Sequence, residues 1–362
     1  MSTTCDTHGR GATDPEQIPA RGWWDIAIRV WHSLMRDNVT LVSGGLAMYA
    51  LLSVFPALAA AVSGYGLLFH PADVIAQMRS FSGVLPPGVW DLFNSDLQDI
   101  TRRASGTLTL TAVLGLALAL LSARSGMSSL MQATNIAYQE QEKRSFVRQV
   151  LISLAFTFGA ILAFVLMLLL GVAVPLVFAA FGANAWVQAL VEGLRWLLLW
   201  AFAAMGLMVI YRFAPARRPA RWRWVVGGAL VAATLWLSGS VLFSIYVRAA
   251  GTYTRTYGAL GSVIALLTWF YLSSFVLVLG AEINAEMERQ TRRDTTEGQE
   301  KPLGARGAYA ADTVGPTAGQ IRRANGSLIP DRRKQGDAPL ERGRHGRLMA
   351  CADPGLNRNQ RA

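Results

Sequence analysis

The stretch SGGLAMYALLSVFPALAAA, Ser43 to Ala61, decides the fold class. It carries no charge over nineteen residues, close to the roughly 20 apolar residues that a membrane-crossing helix needs. Yet Gly44, Gly45, Tyr49, Ser53 and Pro56 interrupt it. Six such apolar runs lie along the 362 residues, near 40–69, 105–124, 148–181, 196–211, 224–246 and 259–281. Charged residues make up 16% of the chain, against about 25% in an average soluble protein, and they crowd into the ends and connectors. The pattern predicts an all-α polytopic membrane protein with six transmembrane helices.

Working outward, residues 1–20 are polar and lack the apolar core of a cleavable signal peptide, so they are expected to form a disordered leader. Residues 21–38 place Trp23, Ala27, Val30, Trp31 and Leu34 at helical spacing, with Asp25, Arg29, His32 and Arg36 largely on other faces. That suits an amphipathic helix lying in the membrane interface, or a helix docked on the protein. Residues 39–289 hold the six spans. Between the first two lies a connector with a PPG turn at 86–88. Residues 290–362 are low in apolar side chains, and a disordered basic tail is expected there, able to attract anionic lipid or simply to remain solvated. Cys5 and Cys351 both lie in the polar ends and cannot staple a core.

Orientation follows from Lys and Arg. With the N-terminus inside, 28 of the 34 basic residues fall on the cytoplasmic side. Without the tail the bias is still 13 to 6. Both termini are therefore expected on the cytoplasmic side of the membrane.

Catalysis finds little support. His8, His32, His70 and His345 are scattered, and HExxH, paired cysteine ligands, GxSxG and a GxxxxGK[ST] loop do not occur. No converging carboxylates suggest two-metal phosphodiester cleavage. No catalytic residue, metal ligand or cofactor is expected.

Polar residues within the spans are more informative. Gly45, Tyr49, Ser53 and Pro56 fall at intervals of four, four and three and share a helix face. In the sixth span Tyr271, Ser274 and Glu282 align similarly. Small residues would let helices pack closely. A proline in mid-span would equally suit a helix lining a wet pathway. Both readings stand. The serines of WLSGSVLFS in the fifth span, Ser238, Ser240 and Ser244, are read as packing residues. Arg124 and Glu282, leaving the membrane at similar depth, are expected to interact, directly or through water, and to close the cytoplasmic end, the alternative being that Arg124 reaches lipid phosphate and Glu282 reaches water independently.

Three motifs carry a resemblance. LVSGGLAMYALLSVFPALAAA resembles the first-span signature of the YihY/BrkB family of bacterial inner-membrane proteins. SARSGMSSLMQATNIAYQ is similar to its second motif, with Arg124, Gly126, Asn135 and Tyr138. YGALGSVIALLTWFYLSSFVLVLGAEINAEMER resembles its closing motif, with Tyr257, Trp269, Tyr271, Glu282, Asn284 and Glu286. The resemblance covers about Trp23 to Arg289. It implies a six-helix inner-membrane protein of a family labelled virulence factor, linked to serum resistance and to movement of lipid A-type amphiphiles. The older name ribonuclease BN is regarded as misassigned.

The leading expectation is translocation of an amphiphile or small solute without an ATP site. The alternatives are an envelope scaffold that does not transport and, more weakly, a membrane-bound ribonuclease. The polar set assigned to a pathway or a structural face is Tyr49, Ser53, Pro56, Arg124, Asn135, Tyr138, Tyr257, Trp269, Tyr271, Ser274, Glu282 and Asn284. Expected partners are membrane lipids and an unidentified amphiphile or solute, with a homo-oligomer among the allowed assemblies and no specific nucleic acid.

Overall fold

In hydrocarbon, a backbone N–H or C=O finds a partner only within its own helix or a closed barrel, so long apolar runs without strand alternation become helices. The computed structural model describes residues 7–66, 110–180, 185–249 and 259–327. Its helices are α1 (Ala20–Arg36), α2 (Val39–Gly66), α3 (Leu110–Ala137), α4 (Phe146–Ala180), α5 (Ala185–Phe213), α6 (Trp222–Ala249), α7 (Ala259–Glu288), α8 (Tyr309–Asp312) and α9 (Ala318–Ser327). Among the described residues, strand-like pairing is confined to one isolated bridge, Ala220 to Thr296. The expected all-α fold is the observed one.

The six long helices, α2 to α7, have 28 to 35 residues. At about 1.5 Å per residue even the shortest reach about 42 Å, against a hydrocarbon layer of about 30 Å. Each therefore has turns to spare beyond the apolar layer. Over the described residues, α4, α5, α6 and α7 are long and apolar enough to cross a membrane, and α1 with the start of α2 forms a fifth, bent candidate. The expected six thus becomes four or five by length and composition. In α2 and α3 the described side chains belong to the more polar halves, which hold Ser43, Ser53 and Arg124. The fourth helix, expected at 196–211, extends over 185–213.

Neighbouring helices run in alternating directions, and this is visible in what meets at one end of the bundle, the base. Residues 7–19, α1, the turns at 138–145 and 214–221, and residues 289–317 gather there. Arg144 donates to the Ala214 carbonyl, Arg223 pairs with Asp14, and the Tyr309 N–H donates to Glu140 at 2.6 Å. Two junctions end in residues with positive φ. Asn38 (φ 48°) closes α1, where the Asp37 N–H returns to the Ser33 carbonyl, and the chain bends 63° into α2. Gln139 (φ 54°) closes α3, with the Glu140 N–H reaching back to the Asn135 carbonyl. Such left-handed residues satisfy carbonyls that a helix end would otherwise leave without partners.

Helix α7 packs against α1, α2, α3 and α6. Its approach to α6 depends on Gly228 and Gly280. A Cβ on Gly228 would meet the Gly280 carbonyl, and one on Gly280 would lie 2.9 Å from the Gly228 carbonyl. Tyr211 of α5 donates to the Leu277 carbonyl at 2.8 Å and closes the same seam.

Three expectations are corrected at the base. Residues 7–19 of the leader are ordered and pack, with Ala12 and Ile18 buried. Helix α1 docks on α7 through Asp25, Ile26, Arg29, Val30 and Ser33, so polar residues expected on the water side are buried, while Trp24, Trp31 and Met35 remain exposed. The start of the tail is also folded. Thr295, Thr296, Ala310 and Ala311 are buried. Arg306 holds this segment together by donating to the carbonyls of Arg292, Arg293, Lys301 and Ala311. Polar hydrogen bonds do there what an apolar core does elsewhere. Residues 319–362 form a separate unit, described only over the remainder of α9.

Candidate functional site

The last turns of α7, AEINAEMERQ over 281–290, carry three glutamates, all buried. A helix C-terminus is the negative end of its dipole and favours cations, yet this stretch holds one basic residue, Arg289, directly after the end of α7. The compensating charges beyond it must come from other elements.

For two glutamates they do. Glu286 accepts from Arg29 Nε at 2.6 Å, Arg289 at 2.6 Å and the Ser33 hydroxyl at 3.1 Å. Arg29 also donates to the Glu286 carbonyl, the Gln290 side chain and the Pro316 carbonyl, tying α1 to α7 and to the segment after it. Glu288 receives both terminal nitrogens of Arg217, at 2.6 and 3.0 Å, and the Thr295 hydroxyl at 2.7 Å. The Arg217 guanidinium lies over the Tyr138 ring at 4.1 Å. Burial works against its charge, but Glu288 and the neighbouring Tyr138 and Glu140 outweigh burial and raise its pKa.

Glu282 differs. It is 1% exposed, and neither carboxylate oxygen has a hydrogen-bond partner. The Tyr138 hydroxyl and the Ser43 hydroxyl are likewise buried without partners. Asn284, between the glutamates, is fully satisfied: its Oδ1 accepts from the Gly228 N–H at 2.7 Å and its Nδ2 donates to the Val225 carbonyl at 3.1 Å. Asn135 joins two turns of the base, accepting from the Ala216 N–H at 2.7 Å and donating to Glu142 at 3.2 Å.

The sequence-derived set therefore divides. Asn135, Tyr138, Glu282 and Asn284 come together at the base. Further along the bundle, Ser53 faces Gly126 so closely that a Cβ on that glycine would collide with its hydroxyl, which makes this part of the first-span face a packing seam between α2 and α3. Tyr49 and Gly45 are exposed, and nothing lies within 4 Å of a Cβ built on Gly45. Pro56 sits inside α2 and lacks the N–H that would bond the Leu52 carbonyl. Ser274 is buried and Tyr271 half-buried on α7. Trp269 donates to Ser240 at 3.2 Å and Trp236 to Ser273 at 3.0 Å, so that pair stitches α6 to α7. Ser238 bonds the Thr234 carbonyl of its own helix, as a packing serine does. Tyr257 lies outside the described residues.

The expected partnership of Arg124 and Glu282 is not formed. Arg124 donates instead to the Ser153 hydroxyl at 2.9 Å and lies 5.9 Å from the Phe146 ring centroid. A neighbouring helix offers it a hydroxyl and an aromatic face, and Glu282 is left to the groups around the α1–α2 bend. Sequence reasoning also missed Arg29, Arg217 and Glu288. The signal that could have found the two arginines is the excess of glutamate at the wrong end of a helix dipole.

The family model described as virulence factor BrkB matches residues 30–304, taking in the base segment after α7. YfkH of Bacillus subtilis, which carries a ribonuclease-like name, is 31% identical over 261 residues, covering 69% of this chain and 90% of that one. The UPF0761 membrane proteins of Tolumonas auensis and Cronobacter sakazakii are 27% and 26% identical, covering 76% and 74% of this chain and 88% and 92% of theirs. No solved structure matches.

Proposed function

This chain belongs to the virulence factor BrkB family of membrane proteins, and we propose that it moves an amphiphile or small solute, or helps to move one, across the bacterial inner membrane. The observation that supports this is Glu282. An ionisable side chain within or beside a membrane helix bundle is costly and commonly marks an ion or substrate path. Structural glutamates in this protein look like Glu286 and Glu288, each with three donors. Glu282 has none and lies on the helix that also buries Ser274. A purely scaffolding protein gains nothing from such a group.

In this reading the base faces the cytoplasm, as the bias of Lys and Arg suggests. The exposed Trp24, Trp31 and Met35 of α1 then rest in the lipid headgroup layer, where tryptophan is favoured. The test is a comparison of lipid and metabolite composition in the two leaflets between a deletion strain and one complemented with the intact gene. Accumulation of one amphiphile or solute on one side, reversed by complementation, supports transport. Unchanged leaflets alongside a persistent envelope defect would favour the scaffold.

A further inference from the structure

Glu282 meets a second carboxylate. Asp37, in the bend between α1 and α2, is the neighbouring carboxylate that acts most strongly on it, and Glu286 adds a like charge from one turn along α7. Arg36 provides the opposing charge nearby, but its Nε and one terminal nitrogen already donate to Asp37 at 2.8 and 2.7 Å. From the end of α3 comes Tyr138, whose buried hydroxyl also lacks a partner. From α2 comes Ser43, buried with an unpartnered hydroxyl. Helix α6 brings Gly228 and Ala232 against α7 at Gly280.

Two ionised carboxylates are both acceptors and cannot bond each other, whereas one proton between them supplies a donor. A metal ion would serve as well, but among the described residues no three His, Cys, Asp or Glu side chains converge to hold one. We propose that Glu282 is a proton-binding site, its carboxyl donating a hydrogen bond to Asp37, and that the proton exchanges with water at the base through Asp37. Asp37 is suited to this because its side chain is partly exposed, 13% against 1% for Glu282. On release the proton passes from Glu282 to an Asp37 oxygen and then to water. Glu282 is left as a carboxylate that the Arg36 charge stabilises, and uptake reverses the order. Proton binding stands on the burial of Glu282 and on the lack of any donor to its carboxylate oxygens. Its role as the ion coupled to transport rests on the reading given above.

The test is infrared spectroscopy of the full-length protein reconstituted in lipid. At neutral pH the wild type should show the carbonyl band of a buried protonated carboxylic acid, shifted in heavy water. Glu282→Gln should lose that band, Glu286→Gln should keep it, and Glu282→Gln should reach the membrane and resist heating as well as the wild type. A band unchanged in Glu282→Gln would overturn the proposal. So would failure of Glu282→Gln to fold, because that would show that the negative charge itself is required. A band that maps to Glu282 without any leaflet change in the deletion strain would leave the proton site standing and remove the transport reading. The reverse result would do the opposite.

Discussion

Removing one member of the Arg217–Glu288 pair should destabilise the base far more than removing both. Each side chain is 0% exposed, the contact is bidentate, and the guanidinium also covers the Tyr138 ring. Glu288→Gln leaves a buried guanidinium without its counter-charge, a loss of about 3–5 kcal/mol. Arg217→Met leaves Glu288 with the Thr295 hydroxyl as its remaining donor and forfeits the cation–π contact, itself worth about 2 kcal/mol when desolvated. In the double variant neither charge is buried, the amide introduced by Glu288→Gln can still accept from Thr295, and an apolar side chain still covers the ring. Replacing a buried pair by uncharged residues is often close to neutral. The double variant should therefore recover about 3 kcal/mol or more relative to the sum of the singles. With about 1.4 kcal/mol per factor of ten, that is at least a hundredfold in the folded-to-unfolded ratio. Denaturant titration of the purified protein, followed by tryptophan fluorescence, measures the four corners of the cycle. A coupling below about 1 kcal/mol, the range of exposed pairs, would refute the claim that this pair is buried and mutually dependent.

Helix packing and the segment after α7 give two more tests. Gly280→Ala places a Cβ 2.8 Å from Ala232 Cβ and against the Tyr211 hydroxyl, and should cost about 1–3 kcal/mol; Gly239→Ala on α6 meets nothing within 4 Å and should be neutral or slightly stabilising in the same thermal assay. A stop after residue 295 removes Arg306, Ala310 and Ala311 from the base and should sharply lower membrane abundance, whereas a stop after residue 327 should not; equal abundance of the two would show that the segment after α7 is dispensable.

The helices were legible because hydrophobicity is a local property. Runs such as 224–246 and 259–281 announce themselves, and α6 and α7 occupy them. The base was not legible, because its order comes from pairs far apart in sequence. Arg29 and Glu286 are 257 residues apart, and Gln290 donates to the carbonyl of His8 across 282. A polar segment such as 290–317 looks unable to fold when judged by apolar content alone. It folds because Arg306 and Asp294 satisfy its backbone, Asp294 accepting from the N–H groups of Thr296 and Lys301. The same reasoning explains why Arg124 was matched with the wrong partner. Similar membrane depth says nothing of azimuth around the bundle, and α3 turns Arg124 toward Ser153 of α4.

One sequence signal at the base did carry more than was read from it. Glu282, Glu286 and Glu288 stand at the negative end of α7 with one local cation, Arg289 directly after it, an arrangement that is unfavourable unless other segments bring more positive charge. Three carboxylates against one local cation call for arginines from elsewhere in the chain to converge on this helix end. Arg29 arrives from α1 and Arg217 from the turn between α5 and α6, each with hydrogen bonds that fix its plane. Arg36 could have served Glu282 in the same way, yet its Nε and one terminal nitrogen are held by Asp37 at the helix bend. The third glutamate is therefore set apart by geometry and not by any shortage of arginine. A fold that needed only stability could replace Glu282 with glutamine or leucine at no electrostatic cost, and that is why this position, among three similar ones, is where function is to be sought.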